Sequence, residues 1–120
     1  MRHKLFFLCV TILFTLSSCT EKLTCNITSP KADAGKDYPE FFENEFIYVT
    51  VEASTNKGSI LQVQMFADNN PGKSCTETPY RDTILPRTFT AGIHSISAVA
   101  YSSQGNTEID AIYVKIKEAK

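Results

Sequence analysis

Phe46-Ile47-Tyr48-Val49-Thr50-Val51-Glu52-Ala53 is the stretch that decides the fold. Successive side chains of an extended strand point to opposite faces. Ile47, Val49, Val51 and Ala53 therefore share one face, and Phe46, Tyr48, Thr50 and Glu52 the other. The first face is wholly apolar and the second mixed, as in a strand with one side on a core. Asn56-Lys57-Gly58 then turns the chain. Residues 60–68 repeat the pattern, with Leu61, Val63, Met65 and Ala67 alternating against Gln62, Gln64 and Phe66.

Outward from this centre the same grammar continues. Leu23-Thr24-Cys25-Asn26-Ile27-Thr28 alternates, and Ser29-Pro30 stops it because proline removes a ladder donor. Residues 31–44 read as a polar loop that contains the adjacent pair Phe41 and Phe42. Asp68-Asn69-Asn70-Pro71-Gly72 is a turn cluster. Residues 73–79 have room for one short edge strand. Residues 80–90 are extended and broken by Pro86, and residues 93–101 are small and β-branched. Residues 107–117 close the pattern, Ile112, Val114 and Ile116 alternating with Tyr113, Lys115 and Lys117. No segment keeps a helical period. Six or seven short strands between Gly, Asn and Pro turns predict an all-β fold, an antiparallel sandwich or barrel.

The first nineteen residues read differently. A basic start (Arg2, His3, Lys4) precedes the uncharged run LFFLCVTILFTL at residues 5–16, and small residues follow. This is the order of a secretory leader, and a dozen apolar residues fall short of the about twenty that a membrane-spanning helix needs. Leu16-Ser17-Ser18-Cys19 resembles the lipobox of bacterial lipoproteins. The resemblance implies removal of residues 1–18, acylation of Cys19 and a membrane anchor through the lipid. Residues 19–23 then form an anchor and short tether, and residues 24–120 the folded body. Thr20 stands where an aspartate would signal inner-membrane retention, which points to the outer membrane.

The 120 residues carry 12 basic and 13 acidic side chains. Losing Arg2 and Lys4 with the leader leaves 10 against 13, a net charge of −3. Nucleic-acid binding wants a clustered basic face, so no nucleic-acid partner is expected. Of the four cysteines, Cys9 leaves with the leader and Cys19 takes the lipid. Cys25 and Cys75 remain, in an envelope compartment where a disulfide persists. A bridge between them is expected, worth ~4 kcal/mol in the chain-entropy picture; the competing reading is two buried thiols. No CxxC and no histidine pair suggests a metal site.

Taken in order, Ile27-Thr28-Ser29-Pro30, Val49-Thr50-Val51, Gly58-Ser59-Ile60, Val63, Phe66-Ala67-Asp68 and Tyr80 are followed by Ala91-Gly92-Ile93-His94, Ala98-Val99-Ala100, Gly105-Asn106 and Val114-Lys115-Ile116. This succession resembles the bacterial immunoglobulin-like modules of secreted and cell-surface proteins, found as spacers beside carbohydrate-active enzymes and in adhesins. The resemblance runs over residues 24–117. It implies a single immunoglobulin-like antiparallel β-sandwich of about seven strands, with the third, sixth and seventh in one sheet. The loop at residues 31–44 is longer than the family's short turn, and residues 71–79 are irregular.

Catalysis finds little support. His94 is the only histidine beyond the leader, and it sits where the family commonly carries a structural one. Asp33, Asp37, Glu40, Glu43 and Glu45 lack the ligand spacing of a calcium loop, and no Gly-x-Ser-x-Gly elbow occurs. No catalytic residue, metal or cofactor is therefore assigned. Binding has better candidates. If Val63, Ala98 and Val114 point inward, alternation sends Phe66, Val99, Tyr101 and Tyr113 outward, among Gln62, Gln64 and Lys115. Such a face suits a sugar or a protein edge. Phe41 and Phe42 are the second candidate, as a loop contact. The expected function is a non-catalytic outer-membrane lipoprotein presenting its sandwich to a glycan or an envelope protein. The alternative is a small periplasmic inhibitor or immunity-type lipoprotein that blocks an enzyme through a loop.

Overall fold

The computed structural model describes residues 20–119, which form eight β-strands; the leader and Cys19 lie outside the described residues. The strands are β1 (Leu23–Ser29), β2 (Glu40–Phe42), β3 (Ile47–Thr55), β4 (Ile60–Ala67), β5 (Asn70–Cys75), β6 (Tyr80–Ile84), β7 (Gly92–Ser102) and β8 (Thr107–Lys117). One sheet has the order β1–β3–β6 and the other β2–β8–β7–β4–β5. Expected alternation holds on both except at the start of β4, where a register shift between Ile60 and Gln62 turns Leu61, expected inward with Val63, out to solvent and lets Ile60 pack on the core instead. Ile47, Val49 and Val51 of β3 are buried against Val63 and Met65 of β4, Ile96, Ala98 and Ala100 of β7, and Val114 and Ile116 of β8. Fully burying one such aliphatic side chain contributes ~1.5–3 kcal/mol, so this apposition is the main source of cohesion. The third, sixth and seventh expected strands, here β4, β7 and β8, do share one sheet.

The structure departs from the expected strands in three places. Residues 40–42, expected within a loop, pair in parallel with β8, Phe41 opposite Ile116 and Phe42 opposite Lys117. That gives an eighth strand and one parallel pair in an otherwise antiparallel fold. The turn after β4 is tighter than its five-residue cluster suggests. Asp68 and Asn69 both take positive φ, 49° and 67°, the backbone of a two-residue hairpin turn, and β5 begins at once with Asn70. Pro71 is tolerated because β5 is an edge strand. Finally, β6 ends at Ile84, short of Pro86.

Each seam between the sheets is closed by an aspartate. Asp110 on β8 accepts the Ile27 N–H of β1 through Oδ2 at 2.8 Å. On the other side, Asp82 of β6 accepts the Lys73 N–H of β5 through Oδ2 at 3.0 Å. Gly72 makes that approach possible, since a Cβ there would lie 2.6 Å from the same oxygen. Edge-strand amides that would otherwise lose water without gaining a partner are thereby satisfied.

The expected Cys25–Cys75 disulfide is not formed; both thiols are free and buried. Cys25 lies over β7, its thiol 3.7 Å from the Ala98 carbonyl oxygen. Cys75 is on β5, its thiol 3.4 Å from the Arg81 carbonyl oxygen. Strand β4 separates β7 from β5. The two thiols thus face different carbonyl acceptors, on β7 and on β6. Burial first, and then the Asp110 carboxylate, push the Cys25 thiol above its ordinary pKa, which keeps it protonated and unreactive.

His94 has the structural role expected for it. Its ring stacks on buried Phe89 with centroids 4.5 Å apart. Nδ1 meets the Asp68 carboxylate and Nε2 lies 2.6 Å from the Thr90 carbonyl oxygen, so both nitrogens are engaged. Asp68 also accepts the Ser95 N–H at 2.9 Å. Burial works against the charged Asp68 carboxyl, but the Ser95 amide and His94 outweigh it and hold its pKa below the ordinary 3.8. A carboxyl whose pKa is lowered by folding stabilises the protein above its unfolded pKa and ceases to as pH falls through the folded one.

Two outcomes follow. Alkylation of the denatured, unreduced protein should modify Cys25 and Cys75 fully, with no bridged peptide by mass spectrometry; a Cys25–Cys75 peptide would overturn the free-thiol state. Asp68→Asn, which tolerates the positive φ, should lower the melting temperature at pH 7. Melts run from pH 7 to pH 2 should show that deficit begin to shrink near the unfolded-state pKa of about 4 and vanish only as the pH falls on through the lower folded one, where wild-type Asp68 becomes protonated; a constant deficit would contradict the clasp.

Candidate functional site

The outer face of the five-stranded sheet gathers most of the predicted binding side chains. Its cross-strand rows are Gln62–Tyr101–Thr107, then Gln64–Val99–Ile109, then Phe66–Ser97–Ala111, then Ser95–Tyr113. Phe66, Tyr101 and Tyr113 are thus on one face, as expected. They do not form one ring cluster. Phe66 and Tyr101 are two rows apart, roughly 14 Å along the strands, and the Val99–Ile109 row lies between them.

Cross-strand pairing accounts for these rings poorly. Sheets are stabilised by aromatic rings opposite other rings or β-branched residues. Phe66 stands opposite Ser97 and Pro71, and Tyr113 opposite Ser95. Only Tyr101 has a β-branched partner, Thr107. Tyr113 is 57% exposed and Ile109 62%. The polar side chains beside them are partly preorganised. Gln62 Oε1 accepts from the Ser74 hydroxyl at 3.1 Å, and Gln64 donates to the Gly72 and Met65 carbonyls at 2.9 Å each.

Phe41 and Phe42 separate. Phe41 turns inward and packs on the core, while Phe42 lies on the outer face under the Lys117 ammonium, 4.6 Å from its ring centre. The pair therefore offers a partner one ring rather than two. Around it the acidic residues are individually occupied. Glu40 pairs with Lys36 at 3.1 Å and Lys117 at 3.4 Å. Lys36 first, with Lys117 and against the cost of burial, holds the Glu40 carboxyl below its usual range. Glu43 pairs with Arg87 at 3.6 Å, and Glu45 accepts the Phe42 N–H at 2.9 Å. Among the described residues no three His, Cys, Asp or Glu side chains converge in a way that would hold a metal.

Sequence reasoning missed two contributors to the face. Tyr38, in the long loop, meets Tyr113 edge-on with ring centres 6.5 Å apart. Ile109 extends the Val99 row; the period-two reading of β8, carried two steps back from Tyr113 and Ala111, would have found it. On the opposite sheet, Phe46 and Tyr48 lie with rings nearly parallel, centres 6.3 Å apart. On the same sheet a shallow cleft of about 520 Å³ is lined by Thr24, Asn26, Thr50, Glu52 and Arg81 among others.

Residues 24–98 match the bacterial Ig domain family. Among solved structures, the fibronectin(III)-like modules of Clostridium thermocellum CbhA are 28% identical, with a TM-score of 0.66 over 83% of this chain and 49% of theirs. The chain therefore spans about half the length of those modules. An engineered protein is 13% identical with a TM-score of 0.54, over 80% of this chain and 20% of its own. SGBP-B of the Bacteroides ovatus mixed-linkage glucan utilization locus, in complex with a mixed-linkage heptasaccharide, is 14% identical with a TM-score of 0.51, over 84% and 26%. The last two likenesses concern the fold alone. Among curated proteins none matches. With well over half its residues matched and its two sheets assembled as an immunoglobulin-like sandwich, the chain belongs to the bacterial Ig domain family.

Proposed function

We propose that this protein is a non-catalytic lipoprotein of the bacterial outer membrane, anchored through acylated Cys19, that binds a glycan on the outer face of its five-stranded sheet. The observation that carries the binding role is the row structure of that face. Tyr113, exposed, and Phe66, half-buried, stand opposite serines rather than opposite rings or β-branched side chains. A pyranose ring presents an apolar face that stacks on such rings, and its hydroxyls need amide and hydroxyl partners, which Gln62, Ser95 and Ser97 supply. SGBP-B, which shares the fold, is a glycan-bound protein. The anchor is supported by the sequence Leu16-Ser17-Ser18-Cys19. An envelope protein edge would use the same face, and a pull-down separates it from a glycan.

Affinity electrophoresis of the full chain through gels containing soluble polysaccharides should show retardation by at least one of them. Tyr101→Ala and Tyr113→Ala should each weaken it about tenfold, the equivalent of ~1.4 kcal/mol, with circular dichroism unchanged. Phe41→Ala should instead lower the melting temperature, because that ring is core. Retardation that survives both tyrosine changes would remove the face from consideration. In cells fed an alkynyl palmitate, the wild type should label and Cys19→Ala should not; label on Cys19→Ala would refute the anchor.

A further inference from the structure

We infer that the end of the sandwich bearing the β3–β4 and β7–β8 turns is a bilayer-facing surface, seated on lipid headgroups with the strands rising away from the membrane. This rests on the reading of Cys19 as acylated. The argument begins with Glu21. Its Oε1 accepts from the Ser102 hydroxyl and from Asn106 Nδ2, both at 2.8 Å, and its Oε2 accepts from the Thr55 hydroxyl. Ser102 is 2% exposed, and its oxygen also receives the Gln104 and Asn106 N–H groups at 3.2 and 3.3 Å. The next residue, Lys22, donates its N–H to Asn56 Oδ1 at 2.7 Å. The two turns lock to each other, Ser103 N–H to the Ser59 carbonyl at 2.9 Å and Ser59 N–H to the Ser103 hydroxyl at 3.0 Å. Thr55 first, then Asn106, hold the Glu21 carboxyl below its ordinary pKa, so the clamp is ionised at neutral pH.

One residue, Thr20, separates this clamp from Cys19. Consecutive Cα atoms are ~3.8 Å apart, so a lipid on Cys19 would have a tether of only two peptide units, at most about 7.6 Å, beyond Glu21. A lipid on Cys19 must leave the domain at this end, and there is no slack for the body to tumble. The surface chemistry agrees. Asn56, Ser59 and Gln104 offer amides and hydroxyls, Lys22 is a cation for phosphate headgroups, and Leu61 is an exposed apolar side chain at the same end. Strands β7 and β8, at eleven residues each, carry the opposite tip roughly 37 Å away. That places the exposed Phe46 and Leu85 far from the bilayer and sets the Tyr101–Tyr113 face side-on to it.

The full chain, matured in a lipoprotein-processing host and reconstituted into vesicles containing phosphatidylglycerol, tests this. A fluorescent probe is placed at Gln104→Cys or Asn44→Cys, with a spin-label quencher in the headgroups. Because the tips are about 37 Å apart, quenching at 104 should exceed that at 44 by about tenfold. A flexible Gly/Ser insert of about six residues between Thr20 and Glu21 keeps the clamp and the fold while lengthening the tether. It should bring the ratio toward one, as should Glu21→Ala. Equal quenching at both sites in a protein that still floats with the vesicles overturns the orientation and leaves the anchor standing. A protein that does not float, with Cys19 unmodified by mass, overturns the anchor and the orientation together.

Discussion

The structure depends on one apposition: the inner face of β3 against the inner faces of β4, β7 and β8. Val49, Val63, Ala98 and Val114 are essentially without solvent contact, and each comes from a different strand. Antiparallel pairs alone are marginal in water and gain independent stability only when a shared apolar face is covered. The small residues matter here as much as the large. Ala98 and Ala100 are wholly buried, so the depth at that point is filled from the opposite sheet, where Cys25 sits over Ala98. Two free cysteines in such a place act as small hydrophobes, and their burial needs no bridge to explain it.

Covering the faces leaves the margins. A two-sheet sandwich exposes unpaired strand edges, and an inner edge close to the opposite sheet is the hardest place for an amide to find water. Asp110 and Asp82 answer this at the two seams, each reaching across to one backbone N–H of the other sheet. Glu21 serves a related purpose at one end, tying the arm before β1 to two turns at once. These three carboxylates hold different elements in mutual position, which non-directional apolar burial cannot do.

Alternation made the faces legible in sequence. Ile47, Val49 and Val51 of β3, and Val114 and Ile116 of β8, could be assigned inward, and Phe66, Tyr101 and Tyr113 outward, because a strand has a fixed two-residue period. Strand pairing was less legible. The parallel seating of Glu40–Phe42 beside β8 comes from long-range contacts, the Lys115 N–H to the Pro39 carbonyl and the Glu43 N–H to the Lys117 carbonyl, that no local pattern encodes. The cysteines misled for the same reason. Compartment and number suggested a bridge, but which strands stand between Cys25 and Cys75 is a matter of sheet order. Glu21 read as part of a tether, because a single carboxylate carries no periodicity; its role appears only when Thr55, Ser102 and Asn106 converge on it.

The candidate face and the core share one determinant. In β8 the buried Val114 and the exposed Tyr113 are neighbours, and a register slip of one residue would exchange them. Such a slip would bring Tyr113 and Lys115 into the space of Val114 and Ile116, burying a charge without a partner, at a cost of several kcal/mol. The positive-φ turn at Asp68 and Asn69 fixes β4 against β5, and the Asp68–His94 contact ties that turn to the start of β7. The aromatic face therefore needs no separate means of holding its shape. The strands that carry its rings are held in place by the same burial that folds the domain, so the backbone of the face is fixed before anything meets it.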